Sequence, residues 1–394
     1  MEARSKSFLI RILCTSLVLA AAMGLFNVLI DPYGLFRTWT WDHINDRKPA
    51  ALSSERLVKR YDVFREAPAA LILGDSTVDL GLDARDPAWP DSVQPVYNLG
   101  LYGADIVGSY RYLQYIFRYR NIRLVIVGLD FDQFLGRWII PLDEKDQLRL
   151  RGPPQQLRRN DLLQGVLSFD ALTDSLDTIV DSFWDLPYVF VAGNSPTGEM
   201  MSERALIGSK GMFELWNRST FNVSTRGTRF PSRMSDLRDL LELCHSNGAK
   251  VILMINPVHA DLLEAYSLLG YWQQLEDLKR DLVSLTAEVR GDAAGDQIEL
   301  WDFSGYDRFS TLEVGEATRW FWNSSHYTRE LGDLIVRRVF GEEDPEFGVQ
   351  LTQDTIETHL KSIREQQSLY RQTHAQAVEA MRRLYDEVPH EPAG

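Results

Sequence analysis

Two cysteines in 394 residues cannot staple a fold. Cys14 falls in the most apolar stretch and Cys244 stands alone, so both read as small buried hydrophobes. Basic clusters are also missing. Lys and Arg total 42 against 56 Asp and Glu, a net charge of −14, and no run of Lys/Arg follows the first dozen residues. Such a chain repels a phosphate backbone, which excludes nucleic acid as a partner. Histidines and acids never fall at metal-ligand spacings, so no metal and no other cofactor is expected. After residue 30 there is no further apolar run of membrane-spanning length. The remainder, 44% hydrophobic, 11% aromatic and 25% charged, is the composition of an ordered globular protein. The length suits one large domain with insertions or two smaller ones.

The first charge-free stretch, Ile12 to Ile30, approaches the thickness of a bilayer's hydrocarbon core at 1.5 Å per residue. Arg4, Lys6 and Arg11 precede it, and positive charge before a first span keeps that end in the cytoplasm. The expected arrangement is a single-pass membrane anchor, with the rest of the chain exported to the far side. A cleaved signal peptide is the alternative. Ala20-Ala21-Ala22 would suit cleavage, but the apolar run continues past it to Ile30.

Residues 31–65 read as a polar, aromatic linker, and 66–340 as an α/β domain. Ala69 to Leu73, Gln94 to Asn98, Leu124 to Gly128, Lys250 to Ile255 and Ile298 to Trp301 are short apolar runs of the kind that form buried parallel strands. Helical patterns lie between them, over Ile106–Arg120, Ser235–Asn247, Leu275–Val289 and Glu330–Phe340. This alternation predicts a three-layer parallel sheet. An insertion at about 140–232 interrupts it, with a charged stretch from Asp143 to Arg159 and a helix over Ser168–Phe183; it reads equally as a lid or as an ornament. In the tail, 341–394, Ile356, Leu360, Ile363, Gln367, Tyr370, His374, Ala377, Met381 and Leu384 form a stripe that predicts one long helix packed on its own domain.

Ligands of open α/β sheets bind outside the carboxyl ends of the strands. Those ends carry Asp75-Ser76, Asn98 to Gly103, Asp130, Asn256-Pro257-Val258-His259 and Asp302, with His326 before the last helix of the sheet domain. Ser76 sits at a strand-to-helix turn and is a candidate nucleophile in need of a base, or a simple helix cap. Asp79 and Asp83 read as caps. His43, His245, His359, His374 and His390 read as surface residues, and His259 as a substrate contact or a packed loop residue.

Three blocks, in order, resemble the SGNH (GDSL-like) hydrolase superfamily: Leu73-Gly74-Asp75-Ser76, Asn98-Leu99-Gly100-Leu101-Tyr102-Gly103 and Asn323-Ser324-Ser325-His326. More narrowly, LILGDSTVDLGLD, YNLGLYGADI and SSHYTRELGDLI are similar to membrane-anchored SGNH-like proteins of bacterial exopolysaccharide O-acetylation systems. The resemblance covers about Ala69 to Gly128 and Val251 to Phe340. It implies a flavodoxin-like sheet, Ser76 as nucleophile, His326 as base, and an oxyanion hole from the N–H groups of Ser76 and Gly103. It also implies a polysaccharide substrate and a membrane-bound protein that delivers the acyl donor.

Two positions depart from the family pattern. Asn323 stands three residues before the histidine, where the family places a catalytic acid; an amide can orient an imidazole but lends it no charge. Asp302 or Glu316 would be the substitutes. Asp130 falls near the family's oxyanion-hole asparagine, where an ionised carboxylate would repel the oxyanion, so it points away, is protonated or has another task. Asp75 and Asn98 are supporting candidates. Two functions follow: an acyl (acetyl) transferase or esterase on a cell-envelope or secreted polysaccharide, or a non-catalytic scaffold or carbohydrate-binding component of an envelope assembly.

Overall fold

Each of the five apolar runs read as strands forms one in the computed structural model, which describes residues 2–37, 39–154, 159–184, 198–222, 231–290, 297–315, 318–342 and 344–388. Helices α1 (Glu2–Ile30), α2 (Pro49–Ser53) and α3 (Glu55–Glu66) come first. Next are β1 (Ala70–Gly74), α4 (Ser76–Gly81), β2 (Val96–Gly100), α5 (Ile106–Phe117), β3 (Leu124–Leu129) and α6 (Phe131–Phe134). The long insertion supplies α7 (Glu144–Arg149), α8 (Arg159–Leu167), α9 (Phe169–Phe183) and α10 (Gly198–Asn222), and α11 (Pro231–Ser246) leads back to the sheet. Then follow β4 (Lys250–Ile255), α12 (Ala260–Leu268), α13 (Trp272–Arg290), β5 (Ile298–Asp302), α14 (Arg329–Val339), β6 (Val349–Gln350), α15 (Ile356–Thr373) and α16 (Ala375–Glu387). The chain divides into two units, Met1–Arg65 with Glu144–Val191, and Glu66–Asp143 with Ala192–Gly394.

The second unit is built on a six-stranded sheet in the order β2-β1-β3-β4-β5-β6. The first five strands are parallel and β6 runs antiparallel to β5. The central strands are apolar because both their faces are covered. Leu71, Ile72 and Leu73 are fully buried, and each contributes about 1.5–3 kcal/mol relative to exposure. Register sets Ile72 between Asn98 and Ile126, and Ile126 beside Ile252, so the carboxyl ends finish level with one another. Two glycines bring the last helix of the sheet domain close. A Cβ on Gly332 of α14 would lie 1.8 Å from the Gly81 carbonyl oxygen, and one on Gly81 would lie 2.1 Å from the Tyr327 ring. Without side chains there, α14 and the residues just before it close directly on α4, which begins at Ser76.

The first unit holds α1, the one helix among the described residues long and apolar enough to cross a membrane. Residues 31–65, read from sequence as a linker, carry α2 and α3, with Lys59, Arg60 and Asp62 buried. Their partners explain this. Arg60 Nε donates to the Arg149 carbonyl at 2.9 Å, Arg37 pairs with Asp62, and the Tyr61 hydroxyl donates to Asp161 at 2.7 Å. Arg149 of the charged stretch and Asp161 just after it thus cover polar groups of α3.

The tail forms two helices, where the stripe predicts one. The helix breaks at His374 (φ −119°, ψ 40°), whose ring stacks on Tyr370 at 4.6 Å. Up to the break the stripe holds, since Ile356, Leu360, Ile363, Gln367 and Tyr370 are all buried.

Candidate active site

Ser76 is the first residue of α4, directly beyond β1. Asp75 caps that helix, its Oδ1 accepting from the Thr77 amide at 2.9 Å, which orients the turn. His326 comes from a tight loop closed by the Trp322 amide donating to the His326 carbonyl at 2.8 Å. Inside the loop, Asn323 Oδ1 accepts from the amides of Ser325 (3.0 Å) and His326 (2.9 Å). Those two donors identify the atom as the amide oxygen, so His326 Nδ1, 3.0 Å away, donates to it. The other ring nitrogen is then a lone-pair acceptor, and His326 Nε2 lies 2.9 Å from Ser76 Oγ. Ser325 Oγ is 3.0 Å from Nδ1. Burial holds the imidazole down to about 4 against the opposing pull of the Asp75 carboxylate, so at neutral pH the ring is uncharged and able to take a proton.

Asp130 ends β3 beside this pair. Its Oδ2 accepts from Asn256 Nδ2 at 2.9 Å, and it shares a hydrogen bond with Asp75. Gln133 Nε2 donates to the second oxygen of Asp75 at 3.1 Å. Burial, then the neighbouring Asp75 charge, drives the Asp130 pKa well above the ordinary carboxyl value. The shift favours the neutral form of Asp130, and a neutral acid does not repel an oxyanion. An acid raised in this way stabilises the fold fully below its unfolded value, near pH 4, and that stabilisation is lost as pH rises through the folded value. The melting temperature of the wild type should therefore fall from pH 4 upward relative to Asp130→Asn, which cannot titrate. A pH-independent difference between the two melting curves would contradict a protonated Asp130.

The pair opens on a cavity of about 200 Å³ lined by Ser76, Tyr102, Gly103, Trp138, Trp216 and His326, among others. Gly103 adopts φ +63°, and its carbonyl accepts from the Ile140 amide at 2.8 Å. A Cβ there would meet Ile140 at 2.7 Å, so glycine suits both the backbone and the space. Among the described residues, neither the Ser76 nor the Gly103 amide donates a hydrogen bond to another group. Trp216 of α10 sets its ring edge-on to His326 at 4.8 Å, and Trp138 stacks on Trp216 at 5.6 Å. Tyr102 and Trp138 are exposed.

Other sequence candidates lie elsewhere. Asn98 is buried and structural: its Nδ2 donates to the carbonyls of Val78 and Leu82, and its Oδ1 accepts from Gly100. His259 is buried between Phe213 and Phe321, caps α12 by accepting from the Asp261 amide, and contacts the Leu312 carbonyl at 2.9 Å. It does not line the cavity. Asp302 binds Lys279 at 2.6 Å and His359 at 2.8 Å, not His326. His359 is thus half-buried and hydrogen-bonded to Asp302, where the sequence suggests a surface residue. Glu316 and His390 lie outside the described residues. No cluster of three or more His, Cys, Asp or Glu among the described residues is arranged to hold a metal.

No protein-family model matches the chain, and no curated protein matches it significantly. The site therefore rests on its own geometry. Sequence reading singled out Ser76, Asn323, His326 and Asp130 and noted Asn256 as a polar strand end. Gln133, Trp138 and Trp216 carry no motif, and only packing brings them to the cavity.

Proposed function

We propose that this chain is an exported, membrane-anchored acyl transferase or esterase of the SGNH-like type, acting through Ser76 on a cell-envelope or secreted polysaccharide. The observation that carries the reading is the continuous contact Ser76 Oγ, His326 Nε2, His326 Nδ1, Asn323 Oδ1, at 2.9 Å and 3.0 Å. A hydroxyl becomes a nucleophile when a positioned base takes its proton, and this base is neutral and correctly tautomerised. The strand order 2-1-3-4-5, with the site at the carboxyl ends, supports a flavodoxin-like frame.

In this mechanism Ser76 Oγ attacks the acyl carbonyl while its proton moves to His326 Nε2. The amides of Ser76 and Gly103 receive the charge that develops on the carbonyl oxygen. The imidazolium, held through Nδ1–H on Asn323, returns the proton to the departing alcohol, leaving an acyl group on Ser76. A sugar hydroxyl or water then attacks the acyl carbon, giving its proton to His326, which returns it to Ser76 Oγ as the acyl group leaves. A cavity of about 200 Å³ favours a small acyl group such as acetyl. The exposed rings of Tyr102 and Trp138 beside it offer apolar faces for a sugar. With α1 in the inner membrane and its basic end in the cytoplasm, the site faces the periplasm or the outside of the cell. A transfer reaction there needs an acyl group carried across the membrane by a partner protein.

Labelling the full chain in detergent with a fluorophosphonate probe tests this directly. Adduct on Ser76, found by peptide mass spectrometry and absent in Ser76→Ala, is the expected result. A folded chain that takes no label rejects the nucleophile and favours the scaffold reading, to which Asn323 in place of a carboxylate also points.

A further inference from the structure

We propose that the α8–α9 hairpin is a second membrane element, with its apolar face lying among the lipid acyl chains of the leaflet at the Ile30 end of α1. The inference rests on α1 spanning the bilayer and is independent of the reaction at Ser76.

The depth of the hairpin follows from α1. A charge inside the hydrocarbon is expensive, so Arg11 marks the near boundary, and Ile12–Ile30 then spans about 28 Å, with the far boundary at Ile30. That end is tied down. Asn45 Nδ2 donates to the carbonyls of Leu29 and Ile30, and Lys48 Nζ to those of Ile30 and Asp31, so the terminal carbonyls of α1 are satisfied. Trp39 and Trp41, stacked at 6.2 Å and exposed, follow at the level where interfacial aromatics belong. Below this boundary the hairpin meets α1. A Cβ on Gly24 would lie 3.0 Å from Val166 and 3.2 Å from Leu167, at the hairpin's tip. Gly24 is six residues before Ile30, so the tip lies about 9 Å inside the hydrocarbon.

The polar groups agree. Asn27 would be an orphan amide within a span, yet it is fully buried: Nδ2 donates to the Val166 carbonyl at 3.0 Å, and the Ser175 hydroxyl lies 3.0 Å from Oδ1. Polar side chains in a membrane are retained where another helix satisfies them. The α9 face toward its neighbours is small, with Ala171, Ser175, Thr178 and Ser182 buried. Its exposed side is apolar. Phe169 (79% exposed), Leu176, Val180 and Phe183 recur at helical spacing, and Leu163 and Leu167 of α8 are exposed as well. Asp170, Asp174, Asp177 and Asp181 share a separate flank, about 100° around the helix, so the side carrying Phe169, Leu176, Val180 and Phe183 is free of charge.

The test uses the full chain in phosphatidylcholine–phosphatidylglycerol vesicles carrying acyl-chain nitroxide lipids. Cys14 is exposed on α1 and Cys244 is buried, so a fluorophore on native Cys14 reports the anchor alone. In a Cys14→Ser background, Phe169→Cys reports the hairpin and Lys361→Cys, on α15, the aqueous control. Quenching by the lipid nitroxide at 169 several-fold above that at 361 is expected. If Cys14 is quenched while 169 is as accessible to aqueous iodide as 361, the hairpin is not immersed and only the anchor stands. Shielding of 169 from both quenchers means that protein covers it, a second copy or another helix, and overturns the lipid assignment. Absence of quenching at Cys14 overturns the anchor itself.

Discussion

His326→Ala should lower acyl turnover by about four orders of magnitude or more, because the residues of such a site act as a unit and the loss of one removes most of its effect. The melting transition should stay within a few degrees, since among the described residues the ring's polar contacts are to Ser76, Asn323 and Ser325. Asn323→Asp separates the roles of this position. Aspartate keeps an oxygen for the amides of Ser325 and His326 and adds a charge 3.0 Å from Nδ1. That charge stabilises the imidazolium, so turnover should rise at neutral pH. The acid limb of the rate profile, set in the wild type by an imidazole held down to about 4, should move to higher pH. Turnover that persists in His326→Ala would remove it as the base. An acid limb that does not move in Asn323→Asp would separate that limb from His326.

Asp302→Ala should cost about 3–5 kcal/mol and lower the melting temperature by roughly 10 °C, because it leaves Lys279 charged and buried without its partner. Lys279 and Asp302 are almost wholly enclosed, Ser304 donates its amide and hydroxyl to Asp302, and His359 joins from α15. Burial alone would raise the Asp302 carboxyl, but the Lys279 charge and the His359 hydrogen bond prevail and hold it well below the ordinary range. A depressed folded value means stability that is present above the unfolded carboxyl value, near pH 4, and lost as pH falls through the folded one. The gap between wild type and Asp302→Ala should therefore close in acid. Lys279→Met in the Asp302→Ala background should recover a large part of the loss at neutral pH, since it removes the stranded charge. A double variant no more stable than Asp302→Ala would assign the cost to packing.

Local rules made much of this protein legible. Continuous apolar runs such as Lys250–Ile255 are strands because both their faces are covered, and Ser168 caps the helix that begins at Phe169 through a bond to the Ala171 amide at 2.9 Å. The charge-free run ending at Ile30 is one helix, and Asn323 and His326 lie within one turn of chain, so their contact is encoded in their spacing. Ser76 is legible as a strand-end serine and His326 through the SGNH-like block that holds it, yet they are 250 residues apart, and the closure of α14 on α4 through Gly332 and Gly81 sets their atoms at bonding distance. The upward shift of the Asp130 pKa, the Lys279–Asp302–His359 cluster, Trp216 against His326 and the hairpin beside Asn27 are set by contacts through space. A pKa or a buried partner depends on which groups share a dry space, and periodicity along the chain does not reveal this. The sequence by itself determined the strands, the apolar N-terminal helix and the residues able to act; the tertiary structure decided which of them meet, because burial and charge act through space.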